Sequence, residues 1–253
     1  MRRAIACAAA LLLLFLHAPL VVLAVFSFNA GRFTLWEGFS LRWYEEAARD
    51  ARLIEAAGNS LLIAAAATAA ATVAGTLCAW ALWKRESRTL MLGLSLSLVT
   101  PEIVTGVALL ALFQWLFRFA GLQLGLHTVV IAHTSFCLAF VVLVVLARLR
   151  TMDSSLEEAA MDLGATEWQA FRRVTLPNLL PAVLSAALLA FTISFDDYVI
   201  TSLVAGVDTE TLPMVLYAMA RRGGSPVVNA VSTVVVVALG AGILAAESLR
   251  EKR

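Results

Sequence analysis

The chain has 253 residues, of which 61% are hydrophobic and 15% charged, and its formal net charge is +1. A soluble domain of this length does not reach so apolar a composition, so the sequence indicates a polytopic membrane protein. The nearly neutral balance gives no electrostatic basis for nucleic-acid binding. Cys7, Cys78 and Cys137 lie in separate apolar runs without CxxC spacing, so neither a disulfide nor a metal site is expected.

Apolar runs alternate with short polar loops along the chain. About 20 residues of helix cross the hydrocarbon core of a bilayer. We therefore predict an all-α membrane protein with six transmembrane helices in a single domain, residues 1–253. The predicted spans are residues 4–28, 59–83, 91–117, 128–147, 182–204 and 227–246, and Pro101 and Glu102 interrupt the third of them. The first run exceeds a signal peptide's apolar core of about 7–15 residues, so we predict that it is an uncleaved span.

A loop, residues 148–181, separates the fourth and fifth spans, and it contains a charged island, Ser155–Pro177. A polar helical segment between two spans lies outside the lipid, where a soluble partner can reach it. The pattern predicts two short helices: Ser154 or Ser155 caps the first, and acidic residues occupy its first turn, where the helix dipole favours them. Gly164 predicts a bend after this helix, and the second helix, residues 167–174, is predicted to stop at Pro177.

The same island carries a motif. In order along the chain it contains Glu158, Ala159, Ala160, Gly164, Val174, Leu176 and Pro177. This spacing resembles the E-A-A, G, I-x-L-P signature of bacterial ABC importer permeases, with valine in the isoleucine position. The resemblance implies the type I importer permease fold and a cytoplasmic coupling helix that docks onto a separate ATPase. The coupling residues that it implies are Glu158, Ala159, Ala160, Gly164, Glu167, Leu176 and Pro177.

Lysine and arginine residues predict the orientation of the spans. With six spans both termini lie on one side, and the loops of that side, which include the island, carry twelve basic residues against seven on the other side. The positive-inside rule then places both termini and the island in the cytoplasm. The predicted location is the bacterial inner membrane, with the island on the side where ATP is available.

Acidic residues within the predicted spans indicate a substrate pathway. Glu102 belongs to the third span, and Asp196 and Asp197 are adjacent in the outer half of the fifth. Intramembrane acids are functional candidates by default, and an electronegative lining attracts a cation. Ser194 and Tyr198 are candidate hydrogen-bonding residues of the same pathway. The alternative is that an acid pairs with an arginine of another helix or subunit, or lies at an interface.

Longer blocks narrow the resemblance to one branch of these permeases. From about Asn59 onward, TPEIVTGVALL, IAHTSFCLAFVVL, FTISFDDYVITSLVAG and TLPMVLYAMARRGGSPVVNAVST are similar to the spermidine and putrescine uptake systems, in the same order. This resemblance implies transport of a small cationic polyamine by alternating access. It also implies a second permease subunit in a heterodimer, two cytoplasmic ATPase subunits and a periplasmic or lipid-anchored binding protein. The chain has no G-x-x-x-x-G-K-[ST] loop, so ATP is expected to bind the partner, and no catalytic residue, cofactor or metal is expected here.

Three other functions remain open at the level of sequence. The chain could be a permease for another small solute, such as an amino acid or a metal chelate, although an anionic cargo would leave the intramembrane acids unexplained. It could be an intramembrane enzyme that uses His133 and the acids, but no H-E-x-x-H motif or nucleophile–base pair is recognisable. It could also be a structural subunit without a pathway. We interpret His133 as a hydrogen-bonding residue between packed helices.

Overall fold

The structure, a computed structural model, describes residues 2–32, 35–223 and 225–251. Lys252 and Arg253, which the topology prediction counts, lie outside the described residues, as does Met1 at the start of the predicted domain. The described chain divides into two compact units, Met1–Ala56 with Met214–Arg253, and Ala57–Pro213. The assignment of residues 1–253 to one domain stays a prediction.

The described residues form helices joined by short connections. The helices are α1 (Arg2–Phe26), α2 (Arg42–Arg49), α3 (Ala51–Lys84), α4 (Arg88–Val99), α5 (Glu102–Ala120), α6 (Leu126–Leu149), α7 (Ser155–Asp162), α8 (Glu167–Ala170), α9 (Leu176–Asp196), α10 (Val199–Val204), α11 (Leu212–Arg221) and α12 (Pro226–Glu251). A π-helical turn, Phe171–Thr175, joins α8 to α9. In the described ranges the only bridge between extended residues is the antiparallel pair Asn29 and Phe39.

Five helical stretches of the described chain are long and apolar enough to cross a membrane. They are Ile5–Phe26, Ala51–Lys84, Glu102–Phe119, Leu126–Leu149 and Glu167–Asp196. Each overlaps one of the first five predicted spans. The sixth predicted span, residues 227–246, coincides with α12, of which Pro226–Gly242 is recognised as a shorter apolar helix.

The predicted third span, residues 91–117, consists of two helices. The chain leaves α4 at Thr100, which is extended with φ −66° and ψ 128°, and α5 begins after Pro101. Proline has no N–H and disfavours a helical conformation in the residue before it, so the break falls at this point. The interruption predicted from Pro101 is therefore a full helix end.

In the first unit, the segment after α1 is organised around the side chain of Asn29. Its Nδ2 donates to the carbonyl of Leu35 at 2.7 Å, and its Oδ1 accepts from the N–H of Glu37 at 2.8 Å. The indole Nε1 of buried Trp43, in α2, donates to the carbonyl of Asn29 at 2.7 Å. The side-chain amide of Asn29 thus satisfies two backbone groups of the segment that follows α1.

In the second unit, α6 is the central helix and packs against α4, α9 and α10. Its buried side chains Val141, Val142 and Val145 share a core with α9 and with α3. A Cβ at Gly75 of α3 would lie 2.7 Å from Cγ1 of Val141, so the missing side chain lets these two helices approach closely. Small residues serve this purpose in membrane proteins, where apolar burial does not drive helices together.

Gly206 allows a second close approach, between the segment after α10 and the segment before α6. A Cβ at Gly206 would overlap the carbonyl oxygen of Leu124, a backbone atom that cannot rotate away. We expect Gly206→Ala to lower the free energy of unfolding by about 1–3 kcal/mol. Gly93→Ala in α4, where a Cβ meets open space, should change it by less than about 1 kcal/mol. Thermal unfolding of the purified proteins in detergent measures both, and equal stability of the two variants would contradict the packing of Gly206.

Candidate functional site

The first helix of the charged island, α7, begins after an aspartate cap. Oδ1 of Asp153 accepts the backbone N–H of Ser155 at 2.9 Å. This hydrogen bond lowers the pKa of the exposed Asp153 carboxyl below its ordinary value, because it stabilises the ionised form. Neither predicted cap is used in this way: Ser154 precedes the helix without a side-chain capping bond. Asp153 was the better candidate because its carboxylate accepts hydrogen bonds more strongly than a hydroxyl does.

Gly164 ends α7 and turns the chain, as predicted. Its φ is +91°, in the region that disfavours residues with a Cβ. The second helix, α8, then opens with a reciprocal cap in which Thr166 Oγ1 accepts from the N–H of Gln169 and Gln169 Oε1 accepts from the N–H of Thr166. Gly164 therefore fixes the bend between α7 and α8, and the reciprocal cap fixes the first residue of α8.

The outer face of α7 and α8 combines acidic and apolar side chains. Glu158, Ala159, Gly164 and Glu167 are exposed, and Ala160 is half-buried. Large apolar side chains of this segment are also exposed: Leu163 is 91% exposed, Trp168 53% and Leu156 49%. Exposed apolar groups of this size mark interaction surfaces. We call the surface formed by Leu156, Glu158, Leu163, Gly164 and Trp168 the docking surface.

The prediction that Pro177 stops the second helix is wrong. The N–H of Leu176 bonds to the carbonyl of Phe171 across five residues, and α9 continues through Pro177 in its first turn. Proline is tolerated in the first turn of a helix, where its missing N–H costs no hydrogen bond. Helix α9 of the fifth span therefore begins at Leu176, upstream of the predicted residue 182, and Leu176 and Pro177 join the island to this helix.

Aromatic rings attach the island to α3. The rings of Trp80 and Phe171 lie 4.5 Å apart between centroids, and Trp168 is 5.4 Å from Phe171 and 6.3 Å from Trp80. Aromatic pairs at these separations contribute about 0.5–1.5 kcal/mol beyond the area they bury. These ring contacts therefore connect α8 and the π-helical turn to α3.

Sequence reasoning missed the importance of Glu157. It was expected only as an acid favoured in the first turn, but its side chain is 2% exposed and contacts Lys84 and Thr175. Adjacent helical residues point about 100° apart, so Glu157 can face inward while Glu158 is exposed. The sequence gives no signal for which of the two points inward.

The second group of site residues lies where the fifth span breaks. Helix α9 ends at Asp196, and Asp197 is extended with φ −66° and ψ 126°. The carboxylate of Asp197 accepts from the N–H of Thr201 at 2.8 Å, from its hydroxyl at 2.7 Å and from the N–H of Ile200 at 3.4 Å. It thus supplies the acceptors that the first turn of α10 lacks. The predicted continuous span 182–204 is wrong at this point.

His133 of α6 completes a buried polar cluster with these residues. Its Nε2 lies 3.3 Å from Oδ2 of Asp197 and 2.9 Å from Oγ1 of Thr201, and its Nδ1 lies 2.7 Å from Oγ of Ser194. Since Thr201 Oγ1 donates to Asp197, it accepts from Nε2 of the imidazole. The cluster holds α6, α9 and α10 together through one ring, in agreement with the packing role predicted for His133.

Ser194 contacts His133, which contacts Asp197, as in the serine–histidine–aspartate triad of hydrolases. Their burial argues against nucleophilic catalysis. The side chains of His133 and Asp197 are 1% and 5% exposed, and Ser194 is buried. A nucleophile must reach an external carbonyl, which a hydroxyl enclosed by helices cannot do. The members of the cluster therefore satisfy one another's buried polar groups.

Glu102 and Asp196 differ from Asp197 in being exposed on the surface of the chain. Glu102 opens α5, where the helix dipole favours an acid. Helices α5 and α10 meet at Gly106, whose Cβ would lie 3.4 Å from Cα of Ile200. The contact falls four residues after Glu102 and three after Asp197, so the two helix breaks belong to one region of this unit. Tyr198 is half-buried beside them.

Long apolar helices, a helical docking surface outside them and acids at two helix breaks define a membrane permease subunit. Residues 71–250 match the family model described as binding-protein-dependent transport system inner membrane component. The chain belongs to this family, and it is the permease subunit of an ABC importer. The ATPase of such a system is a separate subunit, so the chain is a transporter component and not an enzyme.

Relatives at the level of sequence and of fold agree with this assignment. The chain is 43% identical over 233 residues to the putrescine transport system permease protein PotI of Escherichia coli, covering 89% of this chain and 83% of that protein. It is 41% identical over 227 residues to the spermidine/putrescine transport system permease protein PotC of Haemophilus influenzae, covering 88% and 87%. A chain of a bacterial ABC transporter involved in the import of the acidic polysaccharide alginate superposes with a TM-score of 0.77 and 14% identity, covering 99% and 94%. The predicted type I importer permease fold is confirmed.

The two adjacent aspartates should differ in their effect on stability. Asp197→Ala removes a buried acceptor, leaves the first N–H groups of α10 without their acceptor and takes the carboxylate away from Nε2 of His133, so we expect a loss of about 3 kcal/mol in the free energy of unfolding. Asp196→Ala is the matched control, because the exposed side chain should contribute within about 0.5 kcal/mol. Thermal unfolding in detergent compares them. Equal stability of the two variants would contradict the capping and pairing of Asp197.

Proposed function

We propose that this chain forms one half of the translocation pathway of an ATP-driven importer for polyamines such as putrescine or spermidine. The observation that carries the proposal is the exposure of Glu102 and Asp196 at the breaks of two apolar spans. The names of the relatives, a putrescine permease and a spermidine/putrescine permease, support the same cargo. Polyamines carry several ammonium groups, which need carboxylates to replace their lost hydration in a membrane pathway.

A pathway shared by two permeases requires its lining residues to lie on the surface of each chain. Glu102 and Asp196 meet this requirement, and Tyr198 beside them is half-buried. The roles predicted for Asp197 and Ser194 shift accordingly, because both are enclosed with His133. We assign them to holding the helix break open, so that Asp196 is presented to the pathway.

The proposed assembly contains a second permease as heterodimer partner, two cytoplasmic ATPase subunits and a periplasmic or lipid-anchored binding protein. The chain has no phosphate-binding loop of the G-x-x-x-x-G-K-[ST] type, so ATP hydrolysis must come from a partner. The docking surface on α7 and α8 is the candidate contact with that ATPase, because it presents exposed apolar side chains beside Glu158.

The proposed orientation puts both termini and the docking surface in the cytoplasm. Its support is the excess of lysine and arginine on that side in the sequence, twelve against seven. The proposed mechanism is alternating access: closure of the ATPase pair moves the docked helices, and the spans open the pathway to each side in turn. Cargo released by the binding protein would meet Glu102 and Asp196 in the opened state.

The cargo prediction is tested by uptake of labelled putrescine and spermidine in cells that express the complete transport system. We expect Glu102→Gln and Asp196→Asn each to raise the KM for uptake about tenfold, which corresponds to about 1.4 kcal/mol of lost binding. Asp50→Asn, another exposed acid, which lies before α3, is the control and should transport like the wild type. Unchanged uptake in Glu102→Gln, Asp196→Asn and Asp197→Asn together would reject the cationic pathway.

The docking prediction is tested by co-purification with the ATPase subunit. We expect Glu158→Lys to reverse a charge on the docking surface, and Gly164→Asp to strain a position with φ +91°, so that each abolishes ATPase association and uptake. Both variants should still insert into the membrane, because the apolar spans are unchanged. Glu46→Lys is the matched control, because Glu46 is an exposed acid of α2, which is predicted to lie on the opposite side of the membrane. Intact association and uptake in both island variants would reject the docking surface.

A further inference from the structure

Three segments of the second unit meet at the side chain of Glu157. Its Oε1 lies 2.6 Å from Nζ of Lys84, the last residue of α3. Its Oε2 accepts the hydroxyl of Thr175 at 2.8 Å, and Thr175 ends the π-helical turn that leads into α9. We call these three residues the Glu157 node. It joins the docking helix α7 to the ends of two membrane helices.

The contacts of the Glu157 node are buried, and the charge in it is paired. Glu157 and Thr175 are both buried, and a buried carboxylate that loses its partners is strongly unfavourable. Lys84 is 29% exposed, and its ammonium also lies 5.1 Å from the centroid of the Trp83 ring. The charge that must be paired is therefore the carboxylate of Glu157: Oε2 accepts a hydrogen bond from Thr175, and Oε1 has no hydrogen bond and is compensated by the ammonium of Lys84 alone.

A neighbouring ion pair is exposed to solvent, in contrast to the buried carboxylate of Glu157. Arg150 Nη2 and Glu86 Oε1 are 3.7 Å apart, and their side chains are 54% and 86% exposed. Surface pairs of this kind contribute little, because water screens the charges and the side chains lose freedom. The two acids are close in the fold and differ in burial, so Glu86 provides a matched control for Glu157.

We propose that the Glu157 node transmits movement of the docking helix to α3 and α9, and so couples the ATPase to the pathway. The proposal rests on the docking role given above. Glu157 lies on the inner side of α7 while Glu158 beside it faces outward, so the same turn that would meet the ATPase holds both membrane helices. The aromatic contact of Trp80 with Phe171 joins the same two regions, so α3 and α9 follow α7 together.

The experiment uses the complete importer in proteoliposomes, with its ATPase subunits and binding protein, and measures putrescine transported per ATP hydrolysed. Glu157→Gln keeps an acceptor for Thr175 and removes the ion pair, whereas Thr175→Val keeps the ion pair and removes the link to α9. We expect each variant to assemble with the normal amount of ATPase and to lower this ratio about tenfold, a usual magnitude for coupling between sites. Glu86→Gln should leave the ratio unchanged.

The amount of ATPase that co-purifies with each variant distinguishes a defect in assembly from a defect in coupling. An unchanged transport ratio in assembled Glu157→Gln or Thr175→Val complexes would overturn the node. A loss of transport in proportion to lost ATPase would also overturn it, because the residues would then serve only to build the docking helix. If Glu157→Gln does not accumulate in the membrane, the Thr175→Val result decides. A wild-type chain that fails to bind the ATPase would reject the docking role itself, and this proposal with it.

Discussion

A carboxylate or a free backbone N–H inside an apolar protein has to find a partner, because the surroundings cannot hydrate it. The break in the fifth span is stable because Asp197 satisfies both needs at once. Its oxygens accept the first N–H groups of α10, and the imidazole of His133 faces its charge. Without this arrangement, α10 would begin with unsatisfied N–H groups in apolar surroundings, and the exposed acid beside the break would have no fixed position.

Two pairs of adjacent acids in the chain each combine a buried carboxylate with an exposed one. Glu157 and Glu158 are adjacent, as are Asp196 and Asp197, and in each doublet one carboxylate is enclosed with partners while the other is exposed. The enclosed member fixes the backbone, and its neighbour is thereby held at the surface in a defined direction. One doublet lies on the docking helix and the other at the end of the membrane helix α9.

The sequence was sufficient for the class, the motif and the approximate places of the apolar helices, since apolar run length and the spacing of Glu158, Gly164 and Pro177 are local properties. It was insufficient where the outcome depended on distant residues. The inward turn of Glu157 requires Lys84, seventy-three positions earlier, and the enclosure of Asp197 requires His133. One signal was available: an intramembrane histidine in one span and acids in the next are default partners. The passage of the helix through Pro177 had no such signal, because a π-helical turn depends on packing around Phe171.

The helical stretch Glu167–Asp196 is 30 residues long, and at 1.5 Å per residue it extends over about 45 Å from the docking surface to the break in the fifth span. Binding of the ATPase and binding of the cargo would thus act on opposite ends of one helical segment. Thermodynamic linkage then makes their effects reciprocal: whatever factor the ATPase imposes on the affinity for cargo, the cargo must impose on the affinity for the ATPase. An occupied pathway would therefore change the strength with which the ATPase docks.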